Sequence, residues 1–436
     1  MCVVMPLFRA PPEWGIEPVP EEMRVLRHID LAALWSSLGV GLLVLQAGAL
    51  LVRWLGLGLL EALLVSLAGS LIGSTILAAA GILGSKYGVP TMVSLRPVLG
   101  LKGTYLPTAL NVVQLIGWTT FEIIVMGEAA TALTGSFLGP YTKYFWTTVF
   151  AIWCYLMAVY GPLAVVRQWI EKFAIWLVYA SSIWITLNLV DAVPELAIGS
   201  ASPSSLLLAL DLVIAMPISW MPLVSDYNRF ARKASEGFLG TLIGYTVANT
   251  WFYWMGAALA ALYPGETVVY GIALLMLGWL ALLVILVDET DNAFADIYSS
   301  AVSLQNIVPR ARQWKLALAA TLVSLVLAYT VPIAEYEHFL LLIGASFVPL
   351  FGVMLADYFI VRRGEYLTEE FYEKASGVRV GAIASWLAGF AVYYLMAYVL
   401  PWLGFGATLP SLASSFIFYS LIGGGKRSES ARGSTG

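Results

Sequence analysis

Runs of about 20 apolar residues recur along this chain, each separated from the next by a short polar or Pro/Gly-rich stretch. Twenty residues of α-helix rise about 30 Å, the thickness of the hydrocarbon core of a bilayer. Lipid offers no partner to a backbone N–H or C=O, so a segment that crosses it closes its hydrogen bonds internally, as a helix. The runs are too long and too uniformly apolar for the alternating strands of a membrane barrel. Composition agrees: 60% of the 436 residues are hydrophobic and 11% are charged, against roughly 25% charged in soluble domains. The chain therefore reads as an all-α polytopic membrane protein, and a string of soluble domains is excluded.

Twelve spans are expected, near 31–52, 59–84, 105–135, 144–162, 169–190, 206–225, 238–262, 270–304, 313–331, 337–360, 379–400 and 405–422. The third and eighth exceed a simple crossing and carry polar residues, which predicts tilt, interruption or a partly interfacial course. Residues 1–30 hold charges and prolines with no apolar core, so they read as an exposed arm and not as a signal peptide. Residues 423–436 are Gly/Ser-rich and are expected to form a disordered tail. With the N-terminus inside, all of the 23 Lys and Arg except Arg53 and Lys143 fall in cytoplasmic segments. The positive-inside rule predicts that bias, and a miscounted span would scramble it. A multi-pass protein of the plasma (inner) membrane with both termini cytoplasmic follows.

Twelve spans with little outside them argue against an assembly subunit. The two histidines lie at span edges, Cys2 and Cys154 suggest neither a disulfide framework nor a metal site, and no glycine-rich nucleotide motif is present. An enzyme is not expected, nor a cofactor or a nucleic-acid partner. A secondary transporter is, acting as a monomer, with a small solute and a coupling cation as its ligands. A channel without coupling is the alternative.

Ionisable groups inside a span are costly and usually face a cavity or each other. The densest set is DETDNAFADIYSS, Asp288 to Ser300, in which Asp288, Asp291 and Asn292 would share a helical face. Its carboxylates and hydroxyls suit a hard cation or a substrate with amino groups; hydration at a membrane edge is the plainer alternative. In the third span Trp118 and Glu122 are one turn apart, an indole to stack on a flat ring and a carboxylate to bond its edge. The first span contains SSLGVG and then Gln46; the sixth contains Pro217 and Pro222. Both look breakable, since glycine favours the non-helical state and proline removes a helical hydrogen bond. Breaks near the bilayer midplane free backbone groups for ion and substrate. Lying five spans apart, they suggest an inverted pair of five-helix repeats, 31–190 and 206–360, with 379–422 added as two further helices.

The chain resembles the nucleobase:cation symporter-1 family in YGVPTMVSLRPVLGLKGTYLP (87–107), NVVQLIGWTTFE (111–122), PLVSDYNRFARK (222–233) and TDNAFADIYSSAV (290–302). That resemblance implies a five-plus-five inverted-repeat (LeuT-like) transporter with broken first and sixth helices. Its members carry cytosine, purines, allantoin, hydantoins or pyrimidine vitamin precursors, driven by sodium or protons. It places Trp118 and Trp220 over the two faces of the substrate, with Glu122 where characterised members have an amide and the Ser219 backbone at the substrate edge. Gln46 and Asn292 are further edge contacts. The family cation site maps to Ser37, Val40 and Gly41 in helix one and to Asp288, Glu289 and Thr290 in helix eight, for Na+ if sodium is coupled. Asp226 and Arg229 in the hallmark loop are expected gating contacts. Cytosine or the hydroxymethylpyrimidine precursor of thiamine is the expected cargo; purine, allantoin or hydantoin is the alternative.

Overall fold

The computed structural model describes residues 14–161, 175–190, 199, 201–332, 336–373, 375 and 377–432. Residues 1–13 of the expected arm, the beginning of the fifth span and the end of the tail lie outside them. Among the described residues the secondary structure is helical, apart from a single bridge between Leu26 and Ala231.

The first span is two helices, α1 (His28–Leu38) and α2 (Leu42–Arg53), which meet at 62°. Asp30 starts α1 by accepting from the Arg27 N–H at 2.8 Å. The chain then tightens, with Gly39 N–H donating to the Trp35 and Ser36 carbonyls and Val40 N–H to Ser37. It passes through Gly41 in extended backbone before α2 begins. The next spans are α3 (Leu59–Tyr87), α4 (Tyr105–Thr134), α5 (Thr142–Tyr160) and α6 (Ile175–Val190). Helix α4 runs without interruption for 30 residues, so its excess length is not a break.

The sixth span is also interrupted, but without the sharp bend of the first. Helix α7 (Pro203–Ser219) ends just after Pro217, a 3-10 turn covers Met221–Leu223, and α8 (Val224–Asn228) completes the crossing. Helix α9 (Ala234–Leu262) follows. The eighth span is interrupted near its start. Helix α10 (Val268–Leu274) is separated from α11 (Gly278–Gln305) by a turn in which Leu277 adopts a left-handed φ of 54°. Helices α12 (Gln313–Ala328), α13 (Tyr336–Leu355), α14 (Val380–Tyr394) and α15 (Thr408–Arg432) complete the order. Helix α15 extends to Arg432, into the segment expected to be disordered. Extending an existing helix avoids the unfavourable nucleation step, so a Gly/Ser-rich end can continue it.

Helices α1, α2, α3, α7 and α9 pack as one group, α4, α5, α11 and α12 as a second, and α13 to α15 as a third. Close approach in the first group depends on small residues along α9. A side chain at Gly244 would run into the Ala32 backbone of α1, and one at Gly256 into the Leu45 backbone of α2. In lipid, where apolar surface alone does not drive helices together, such contacts let backbones meet. Every residue of α11 from Asp288 to Ser303 is buried, so its carboxylates are enclosed by protein and the hydrated-edge reading falls.

Candidate functional site

Helix α11 fills the break in the first span. Glu289 accepts from the Leu42 N–H through Oε2 at 2.7 Å, satisfying one of the orphan amides at the start of α2. One turn on, Asn292 donates from Nδ2 to the Val40 carbonyl at 2.8 Å. Gly41 makes this possible, since a Cβ there would lie 3.0 Å from both Asn292 Nδ2 and Glu289 Oε2. On the neighbouring face of α11, the Ser37 hydroxyl lies 2.9 Å from Asp288 Oδ1 and 3.0 Å from Asp291 Oδ2. A hydroxyl has one proton to give. Two carboxylates sharing it repel unless a proton or a cation comes between them.

A small cavity lies beside this junction. Trp118 and Trp220 line it, with Glu122, Glu289, Asn292 and Asp296 supplying its polar groups. Apolar walls with a few converging polar groups suit a small organic ligand. Trp220 stands at the end of α7, just before the 3-10 turn, and Trp35 backs it edge-on at 6.3 Å between ring centroids. Trp35 is anchored in turn by a 2.9 Å hydrogen bond to Asn228 Oδ1. Glu122 Oε2 and Glu289 Oε1 find no hydrogen-bond partner among the described residues, although the two side chains are 4% and 0% exposed. Among the same residues, no three His, Cys, Asp or Glu side chains converge on a point that could hold a metal ion. The carboxylates surround a void instead.

The structure thus brings Trp118, Glu122, Ser219, Trp220, Gly41, Glu289 and Asn292 to one cavity. Glu289, expected among the cation ligands, faces the cavity, and Asp291 stands in the Ser37 cluster beside Asp288. Gln46 does not line the cavity; the α2 residues that do are Leu43 and Val44. Thr290 turns its hydroxyl back to the Val287 carbonyl at 2.7 Å. Asp296, counted in the sequence among the four carboxylates of the 288–300 segment but given no place in the site, also lines the cavity. Residues 289, 292 and 296 follow the i, i+3, i+7 spacing of one helical face, and that periodicity is the signal that would have placed it there.

Met216 and Ser219 also line a second, larger cavity, bounded by α2, α7, α13 and the α14–α15 connection. The two spaces share these two lining residues. The opposite end of the helix group is closed by the N-terminal arm. Arg229, fully buried, donates to the Gly15 carbonyl at 2.7 Å and to the Tyr298 hydroxyl of α11 at 2.6 Å. Asp226 accepts from the Thr91 N–H at 2.8 Å, and Tyr372 donates to the Ile16 carbonyl at 2.8 Å. Arg96 reaches Asn306 and the Phe371 carbonyl, both at 3.0 Å, and burial pushes its guanidinium down from the usual range against the opposing influence of Tyr372. Replacing Arg229 by lysine keeps the charge and removes the two-pronged fork. Hydrogen bonds to charged groups contribute about 1.5–3 kcal/mol, so amide exchange over residues 14–26 should accelerate by roughly tenfold or more. Unchanged exchange would show that the arm is held without Arg229.

A family profile described as a permease for cytosine/purines, uracil, thiamine and allantoin matches residues 18–416. The cytosine permease of Escherichia coli (strain K12) is 26% identical over 348 residues, covering 77% of each chain. The allantoin permease of Bacillus subtilis (strain 168) is 23% identical over 437 aligned positions, covering 88% of this chain and 86% of its own. Among solved structures, MHP1, a nucleobase-cation-symport-1 family transporter with bromovinylhydantoin bound in a closed conformation, superposes with a TM-score of 0.79 at 19% identity, covering 94% of both chains. The architecture is accordingly the five-plus-five inverted repeat of that fold with additional helices.

Proposed function

The chain belongs to the family of permeases for cytosine/purines, uracil, thiamine and allantoin, a family of transporters and not of enzymes, and from that premise we propose that it imports a planar nitrogen heterocycle such as cytosine or a pyrimidine precursor of thiamine, coupled to Na+ or H+. The observation that carries this reading is the cavity lined by Trp118 and Trp220, with Glu122 one helical turn from the first indole. Two aromatic walls recognise a flat ring through its faces, and a buried carboxylate recognises the N–H groups at its edge. Ser219 and Asn292 stand ready for further edge contacts.

Ser37, Asp288 and Asp291 form the coupling site in this reading. A cation or proton between the two carboxylates draws the broken first span against α11. The same helix presents Glu289 and Asn292 to the substrate. Ion and substrate then favour the same arrangement, and each must raise the affinity for the other by the same factor. The larger cavity beyond Met216 and Ser219 is the entry path. Arg229 and Asp226 close the other end, which the distribution of Lys and Arg assigns to the cytoplasm. Rocking one helix group against the other would exchange the open ends.

Thermal unfolding of the purified protein in detergent tests this. Candidate heterocycles are compared in sodium and in matched potassium, since a ligand that binds only the folded state raises the transition. One heterocycle that stabilises strongly, and more so in sodium, supports both parts. A shift indifferent to sodium moves the coupling to protons. No shift with any heterocycle counts against the substrate class.

A further inference from the structure

Resting on that reading of the site, we infer that it selects heterocycles with an amidine edge, a ring nitrogen beside a carbon bearing NH2, over those with a lactam or imide edge. Three carboxyl groups line the cavity, Glu122, Glu289 and Asp296, and among the described residues no Lys, Arg or His lines it with them. The other polar side chains add little donor capacity. The Ser219 hydroxyl donates to the Met216 carbonyl at 2.7 Å, and Asn292 gives one N–H to Val40. The wall facing the substrate is therefore rich in acceptors. Two of those acceptors, Glu122 Oε2 and Glu289 Oε1, are buried without a partner among the described residues. A buried polar atom left in that state is costly, and a ligand that donates to it removes the cost.

An amidine fits such a wall whichever partner holds the proton. As a cation it offers two parallel N–H donors to the two oxygens of a carboxylate, the bidentate arrangement that favours charged pairs. As a neutral group it accepts the O–H of a carboxylic acid at its ring nitrogen and donates from its amine to the acid carbonyl. The proton moves across the pair and the complementarity survives. A lactam has a carbonyl oxygen in place of the amine, which faces an acceptor unless the carboxyl stays protonated. An imide presents two such oxygens.

Glu289 is the residue that makes this preference consequential. Its Oε2 is already fixed by the first amide of α2, so a substrate that bonds Oε1 is joined through one carboxylate to the break in the first span. A donor at that position reports its presence to the helix that must move. Glu289 is assigned here as a specificity-determining residue alongside Glu122.

Matched pairs test the inference in the full-length protein: cytosine with uracil, adenine with hypoxanthine, and 4-aminopyrimidine with 4-pyrimidinone. Affinities are taken from equilibrium binding and from thermal shifts in detergent. In at least one pair the amino member should bind about tenfold or more tightly, the discrimination one good bidentate contact provides. Glu289→Gln retains an acceptor for Leu42 N–H, and it should move that ratio toward one or below it. Lactam members that bind as tightly as their amino partners would overturn the inference while leaving the heterocycle reading in place. A wild-type preference that Glu289→Gln and Glu122→Gln both leave unchanged, in monodisperse protein, would overturn the assignment of these residues. Binding of no compound in either class would remove the heterocycle reading and the inference together.

Discussion

Trp118→Ala should weaken binding of the transported heterocycle by roughly 10- to 100-fold while leaving the protein folded. Stacking of a base on an aromatic side chain is worth about 1–3 kcal/mol by alanine substitution, and each 1.36 kcal/mol is a factor of ten. The indole lines the cavity from the middle of α4, an uninterrupted helix, so truncating it leaves the backbone of the site in place. Loss of affinity should be similar for every heterocycle, because a ring face is common to all of them. That separates Trp118 from Glu122 and Glu289, whose replacement by glutamine should re-order preferences among heterocycles. Binding isotherms for two unlike substrates, measured on monodisperse variant protein, check the claim. Wild-type affinity in Trp118→Ala would remove this side chain from the substrate site.

Replacing Asp288 and Asp291 together by asparagine should abolish concentrative uptake without abolishing substrate binding. Both carboxylates meet at the Ser37 hydroxyl, on a face of α11 other than the one that lines the cavity. Asparagines retain the shape and some hydrogen bonding there and cannot hold a coupling charge between them. One elementary charge carried across 100 mV is worth about 2.3 kcal/mol, which supports accumulation of about 50-fold. In proteoliposomes with an imposed potential and cation gradient, the double variant should equilibrate its substrate and accumulate none. Exchange of external for internal substrate should persist, and affinity should fall to that of the wild type without its coupling ion and respond to that ion no longer. Gradient-dependent accumulation equal to wild type would show that coupling resides elsewhere.

The global fold was legible because the membrane makes the sequence explicit. Lipid requires helices, helices of fixed rise require runs of fixed length, and the asymmetry of Lys and Arg checks the count. The two broken spans were legible for local reasons: SSLGVG cannot propagate a helix well, and Pro217 and Pro222 interrupt one. Trp118 and Glu122 were visible as a pair because both lie on one continuous helix with predictable spacing. Helix α11 was harder, since carboxylates occupy more than one of its faces. The grouping of Asp288, Asp291 and Asn292 mixed two surfaces that the structure separates: Asp288 and Asp291 meet Ser37, whereas Glu289, Asn292 and Asp296 belong to the cavity. Which face turns toward which neighbour depends on the 62° bend between α1 and α2. A break can be read from glycines, but its angle is set by packing.

The burial of α11 bears on how the protein is made. At the centre of a membrane helix an aspartate costs about 2.5–3.5 kcal/mol during insertion, and this segment carries Asp288, Glu289, Asp291 and Asp296 within about two turns. It is therefore a poor client for partitioning alone from the translocon into lipid. Of its partners in the finished structure, α1, α2, α4, α5 and α6 are synthesised before it and α12 after it. The earlier ones can offer Ser37, the Val40 carbonyl and the Leu42 amide as a ready docking surface while the ribosome is still working. Biogenesis of the eighth span thus becomes an act of assembly, in which the nascent chain is admitted to the membrane by its own earlier helices.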